Sequence, residues 1–371
     1  MAFAIGILAC RNLNPLPTTT GDLEDIPYDP QPYTIVKPDF FPNVPVPADN
    51  PMTADAVQLG RRLFYDPILS ADSTMSCSSC HLPQGNFTDN KAVSKGIDGI
   101  VGRRSSMALL NIAYATKGLF WDGRSPSLED QALRPVEDVI ELHHTWPQVV
   151  EQLKEHPTYP ALFRKAFGIK DRSEMTKELA AKAIAQFERI LISSGTSKYD
   201  QFEQGNIDIF DDEELDGYFM YFERIPEGIS LPHAQCFHCH GGITLAEGST
   251  IYDNNGLDSV ASLDDFKDLG RFEVTGNHSD KGKFRAPTLR NIALSAPYMH
   301  DGRFQTLEEV VGNYAKKGKG VWNENPNIPL VGLNAPNHTL SEAHKKALVK
   351  FLHTLTDTVF VKNPDIQNPF Q

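Results

Sequence analysis

The pattern C-x-x-C-H occurs twice in this 371-residue chain, as C-S-S-C-H at 77–81 and as C-F-H-C-H at 236–240. No other feature constrains the fold as strongly. Two thiols at this spacing reach the two vinyl groups of one haem and form thioethers. The histidine that follows then falls under the iron as its proximal ligand. The chain holds only five cysteines and twelve histidines, so one chance match is rare and a chance repeat negligible. A redox C-x-x-C or half of a zinc site would account for the thiols alone. Neither asks for a histidine directly after the second cysteine, twice. The reading is two covalent c-type haems, one on Cys77, Cys80 and His81 and one on Cys236, Cys239 and His240.

Four of the five cysteines are used in this way, which leaves no pair for a structural disulfide. The fifth, Cys10, closes the apolar run M-A-F-A-I-G-I-L-A-C. That run is too short to span a bilayer and lacks a basic flank. It resembles a bacterial lipoprotein signal with Cys10 as the lipidation point. Because c-type haem is attached outside the bacterial cytoplasm, export to the periplasm is expected, with a lipid tether through Cys10 as one form of it.

Hydrophobic residues make up 40% of the chain and charged residues 22%, the balance of a globular protein. The net charge of −13, from 35 basic and 48 acidic residues, disfavours nucleic acid as a partner. It suits a basic redox protein, although an acidic balance that merely keeps a chain soluble is commoner. Residues 11–50 are rich in Pro, Thr and Asp, so 1–50 reads as an export segment followed by an extended tether. Beyond it, apolar residues recur at helical spacing from Thr53 to Tyr65 and over 106–115, 127–133, 145–155, 158–167, 176–192, 208–221, 306–314 and 341–355. Strand patterns are scarce. The expected fold is mainly α, with two cytochrome c-like helical domains, 51–195 and 196–371, each around one haem and joined near 193–205. The halves also echo one another: L-L-N-I-A, W-D-G-R and S-L-E-D in the first, L-R-N-I-A, H-D-G-R and T-L-E-E in the second. This suggests duplication of one haem-binding unit.

The two C-x-x-C-H motifs, with G-R-R, F-W-D-G-R, S-L-E-D-Q-A, F-R-A-P-T-L-R-N-I-A, A-P-Y-M-H-D-G-R and T-L-E-E-V-V in that order, resemble the bacterial di-haem cytochrome c peroxidase superfamily over about residues 52–357. The resemblance implies a first domain that binds hydrogen peroxide and a second that transfers electrons. Ordinary members reduce peroxide with electrons from a small cytochrome or cupredoxin. The MauG-like branch (MauG and MbnH) uses peroxide to build a high-valent di-haem state that oxidises Trp or Tyr of a partner protein at long range.

The two kinds differ at the iron ligands. Ordinary members carry a distal His in the loop after the first motif. Here residues 82–142 contain no histidine, and Ile97 stands about where it would be. A five-coordinate first iron is implied, with His143 or His144 reaching in as the alternative. Glu141 lies at the family spacing from Trp121 for the carboxyl that moves a proton between the oxygens of bound peroxide. Taken alone, a Glu between Ile140 and Leu142 is more often a solvated helix residue. Gln131 and Pro135 match positions lining the distal pocket. Trp121 matches the inter-haem aromatic; a lone Trp in a turn is otherwise a core residue. The family's second-haem ligand falls on Tyr314, a position held by Met in ordinary members and Tyr in MauG-like ones. Met299 is the alternative. A phenolate would stabilise higher iron oxidation states. A Ca²⁺ between the haems would draw on Ser105, where the family has Asn, and on the backbone carbonyls of Ser295 and Pro297, completed by water.

The expected protein is thus a MauG-like di-haem peroxidase. The runner-up is an ordinary cytochrome c peroxidase without its distal His. A non-catalytic electron carrier or haem sensor is the third reading, disfavoured because a carrier gains by closing both irons.

Overall fold

A computed structural model describes residues 21–246, 251–315 and 340–371; Cys10 and its apolar run lie outside the described residues. Helices dominate. The first group is α1 (Ala54–Tyr65), α2 (Leu128–Glu137), α3 (Trp146–Glu155), α4 (Tyr159–Phe167) and α5 (Lys177–Arg189). The second is α6 (Lys198–Glu203), α7 (Asp212–Phe222), α8 (Phe272–Thr275), α9 (Leu307–Tyr314) and α10 (Glu342–Thr354), followed by α11 (Thr358–Lys362). The one strand pair among the described residues, β1 (Tyr252–Asp253) and β2 (Phe284–Arg285), is antiparallel. No described helix is long and apolar enough to cross a membrane.

Each half is built on one close helix crossing. Thr53 caps α1, its side chain accepting from Ala56 N–H, and the helix stops at Asp66 before Pro67. Its Leu59, Leu63 and Phe64 pack with Ala183, Ile184 and Phe187 of α5 in the first core. Contact is close because Gly60 lacks a side chain: a Cβ there would stand 1.8 Å from the Ala183 carbonyl oxygen. In the second half Gly217 of α7 plays the same part, with a Cβ position 2.2 Å from the Ala347 oxygen of α10. Tyr218, Tyr221, Phe351 and Leu352 fill that second core.

The structure departs from the sequence reading at three places. Residues 106–115 form only a 3-10 turn, Ile112–Tyr114, because Asn111 takes a left-handed φ of 60°. Its N–H donates to Leu191 O, and its Oδ1 accepts from Ser193 N–H. The segment near 193–205 is no free linker. Ser193 and Ser194 donate to the Asp357 carboxylate, and α6 follows at once. Finally, Phe360 and Ile366 return to the first core, so the chain's end packs with the first half.

The sequence echo is a structural one. Asn291 repeats Asn111 with φ 59°, an N–H bond to Leu355 O and an Oδ1 that accepts from Asp357 N–H. The following turns match: Leu119 N–H donates to Ser125 O and Tyr298 N–H to Phe304 O, with Phe120 at φ 65° and Met299 at φ 77°. Ser127 then caps α2 and Thr306 caps α9. Counted from these caps, Trp121 corresponds to His300, and Pro135 to Tyr314.

Candidate di-haem active site

None of the four cysteines of the two motifs is in a disulfide, and each pair stands on a 3-10 turn with its histidine just beyond. His81 Nδ1–H donates to the Phe87 carbonyl at 2.7 Å and His240 Nδ1–H to the Pro287 carbonyl at 2.9 Å. A carbonyl can only accept, so these bonds fix the tautomer and leave each Nε2 for a metal. Burial holds both imidazoles below their usual range, in the neutral form that ligation needs. Each histidine borders its own cavity, of about 460 Å³ for His81 and about 210 Å³ for His240. Paired thiols, a tautomer-fixed imidazole and a mostly apolar cavity together fit a covalent haem in each half.

The first cavity brings together Cys77, Cys80, His81, Trp121, Gln131, Pro135 and Glu141. Among the described residues His81 is the only histidine on its wall. His143 is hydrogen-bonded to Asp98 at the surface, and His144 to Gln152 at 3.3 Å; neither borders the cavity. Ser94, Lys95 and Gly96 of the loop that carries Ile97 line the cavity, but Ile97 does not, its N–H donating to Glu141 O at 3.0 Å. Pro135, the α2 counterpart of Tyr314, offers no donor atom. Burial pushes Glu141 up to about 7, aided by the Asp138 charge and opposed by Arg124. A second carboxyl on this wall went unnoticed in the sequence. Glu188 of α5 is 4% exposed, its Oε2 has no hydrogen-bond partner, and burial pushes it up to about 8. Its signal was a charge four residues after Ile184, on the apolar stripe of α5.

The second cavity brings together Cys236, Cys239, His240, Met299 and Tyr314. The Asn255 amide lies between the two ligand candidates, 3.3 Å from Tyr314 Oη and 3.5 Å from Met299 Sδ. Burial pushes the Tyr314 phenol up to about 12, and the Asn255 hydrogen bond opposes this. Trp121 borders both cavities. Its indole N–H donates to Ser105 O at 2.9 Å, and its ring meets His300 edge-on at 6.5 Å. Ser105, Ser295 and Pro297 all border the second cavity. The Ser105 hydroxyl donates to Met299 O at 3.0 Å and the Ser295 hydroxyl to Ile292 O at 3.1 Å.

The turn that carries Trp121 is clamped by Arg104. Its guanidinium, 8% exposed, pairs with Asp122 at 2.6 Å, Asp268 at 2.7 Å and Glu273 at 3.1 Å. Removing one partner leaves the others' charge buried and uncompensated. Arg104→Ala should therefore destabilise the protein by about 3–5 kcal/mol in denaturant unfolding; a loss below about 1 kcal/mol, the worth of a surface pair, would contradict the clamp.

Comparison with known proteins agrees with this construction. Residues 54–208 match the family described as di-haem cytochrome c peroxidase. The chain is 33% identical to cytochrome-c peroxidase IdrP1 of Denitromonas iodatirespirans over 89% of this chain and 90% of that protein. It is 31% identical to the methylamine utilization protein MauG of Methylorubrum extorquens over 84% and 81%. The crystal structure of a MauG-like protein associated with microbial copper homeostasis superposes with a TM-score of 0.80 at 33% identity, covering 91% of this chain and all of that one. With two haem-fitting cavities bridged by Trp121, the chain belongs to the di-haem cytochrome c peroxidase family, whose members are oxidoreductases acting on peroxide.

Proposed function

We propose that this protein uses hydrogen peroxide to oxidise tryptophan or tyrosine of a partner protein at long range, in the MauG-like manner. The observation that carries the reading is the inequality of two equivalent positions. Helices α2 and α9 are capped alike, yet α2 presents Pro135 to the first cavity and α9 presents Tyr314 to the second. A metal held by His81 would thus meet no side-chain donor from α2, whereas one held by His240 would have the Tyr314 oxygen available from α9. Bound haem supplies iron that gives up and regains electrons singly.

The chain's own residues do the rest. Glu141 is placed to take a proton from peroxide in the first cavity and to return it to the oxygen that leaves as water, while the two electrons for breaking the O–O bond would come from the haems that His81 and His240 would hold. Gln131 and Pro135 shape the space around that exchange. Trp121 lies between the cavities and shortens the electron path, and Ser105 O holds its N–H. Tyr314, the proposed second-iron ligand, is a hard anionic donor suited to holding an oxidising equivalent. The partner docks at the surface, and the net charge of −13 favours a basic one. Periplasmic export, with lipidation at Cys10 as its tethered form, belongs to the same proposal. So does a Ca²⁺ drawing on Ser105, the Ser295 and Pro297 carbonyls and water; no step depends on it.

The test is to add stoichiometric peroxide to the fully oxidised protein without reductant. Loss of the high-spin signal together with a long-lived near-infrared charge-resonance band is the expected result. If nothing happens until one haem is reduced, the protein is instead an ordinary cytochrome c peroxidase fed by a small redox protein.

A further inference from the structure

Arg285 ends β2 beside the bridge. Its backbone N–H donates to the Trp121 carbonyl at 2.8 Å, and the residue borders both cavities. The residue is 8% exposed, and its Nε has no hydrogen-bond partner. Among the described residues no carboxylate is in ion-pair range of it, and the ionisable group acting on it is the phenol of Tyr252. The other buried arginines are treated differently. Arg104 holds Asp122 and Asp268, and Arg290 holds Asp200 at 2.9 Å. A guanidinium buried without an anion is too costly to keep, so the anion must come from what fills the cavities.

We infer that Arg285 binds carboxylate groups of both haems at once, tying them to the Trp121 bridge, so that a single charge sets both reduction potentials together. This rests on both haems being present. The guanidinium has N–H groups on more than one edge, which lets it serve two carboxylates as a lysine could not. Its charge favours an added electron on either iron. The same charge opposes a cation on the adjacent Trp121 indole, which keeps an oxidising equivalent off the bridge. Arg285 is therefore a positioning residue, acting through the haems.

Arg285→Gln and Arg285→Lys in the haem-loaded protein test this. Haem content and mass establish first that two haems are attached; a wild-type protein lacking one would overturn the di-haem reading rather than this one. In R285Q both midpoint potentials should fall, each reduction equilibrium shifting at least tenfold, which is about 59 mV for one electron. In R285K both should stay near wild type while the haem carboxylate bending bands in resonance Raman shift, a point charge having replaced a fork. Unchanged potentials in loaded R285Q would overturn the proposal, and a change at one haem alone would overturn the bridge. If R285Q does not accumulate, unshifted bands in R285K suffice to reject it.

Discussion

Replacing Glu141 with Gln should slow the reaction with peroxide by roughly 10²- to 10⁴-fold while both haems stay attached. Glutamine keeps the shape and a hydrogen-bonding end but cannot carry a proton between two oxygens. The pH dependence makes the test specific. Burial holds Glu141 at about 7, and the ionised form is the one that can accept the peroxide proton. The wild-type rate should therefore rise with pH through about 7 and level off above it, and the variant should lose that limb. Stopped-flow measurement of the first haem's absorbance reads both. Glu188→Gln is the control: its group is pushed to about 8, so the limb near 7 should survive its loss. A Glu141→Gln protein within threefold of wild type would remove Glu141 from the chemistry. Stability carries a linked signature. Both carboxyls are raised above their ordinary 4.5, so the fold favours their protonated forms. That contribution is complete below about pH 4.5 and is lost as pH rises through 7 and 8.

Much of this site was legible because its determinants are local. C-x-x-C-H puts two thiols and a ligand on one turn. The repeat of L-x-N-I-A and x-D-G-R survives as matching left-handed asparagines at 111 and 291 and matching turns after 118 and 297. Helices such as α5 and α10 showed in their apolar periodicity, but residues 106–115 did not follow theirs. Asn111 leaves the helical region to bond to Leu191 and Ser193, a tertiary contact that no local window contains. Likewise the return of Phe360 and Ile366 to the first core, and the seating of Ser193 and Ser194 on Asp357, join segments far apart in the chain. Arg104 and Arg285 were visible only as parts of motifs. What distinguishes them is three acidic partners for one and, among the described residues, none for the other; of the three, Asp122 lies 18 positions from Arg104, but Asp268 and Glu273 come from 164 and 169 positions away.

The second large effect is expected at Tyr314. With Tyr314 as the proposed second-iron ligand, Tyr314→Phe should convert the spectrum of the haem on His240 and raise its potential. The change should be a sizeable part of the roughly 0.8 V that axial ligands command, because a phenolate favours the oxidised iron. Long-range oxidation should then fail even though peroxide still reacts at the first haem, since the second would no longer hold its share of the oxidising power. Met299 makes the experiment decisive. It borders the same cavity, and the Asn255 amide reaches both side chains, so proximity alone does not choose between them. The backbone does separate them. Met299 corresponds to Phe120, in the turn beside Trp121, whereas Tyr314 corresponds to Pro135, on the helix that lines the first cavity. Met299→Leu should accordingly leave the spectrum of the second haem nearly unchanged. The opposite pattern, a silent Tyr314→Phe and a shifted Met299→Leu, would give this haem the His/Met ligation of an electron-transfer centre. The reading would then pass to the ordinary cytochrome c peroxidase, because an iron held by thioether is tuned to deliver electrons.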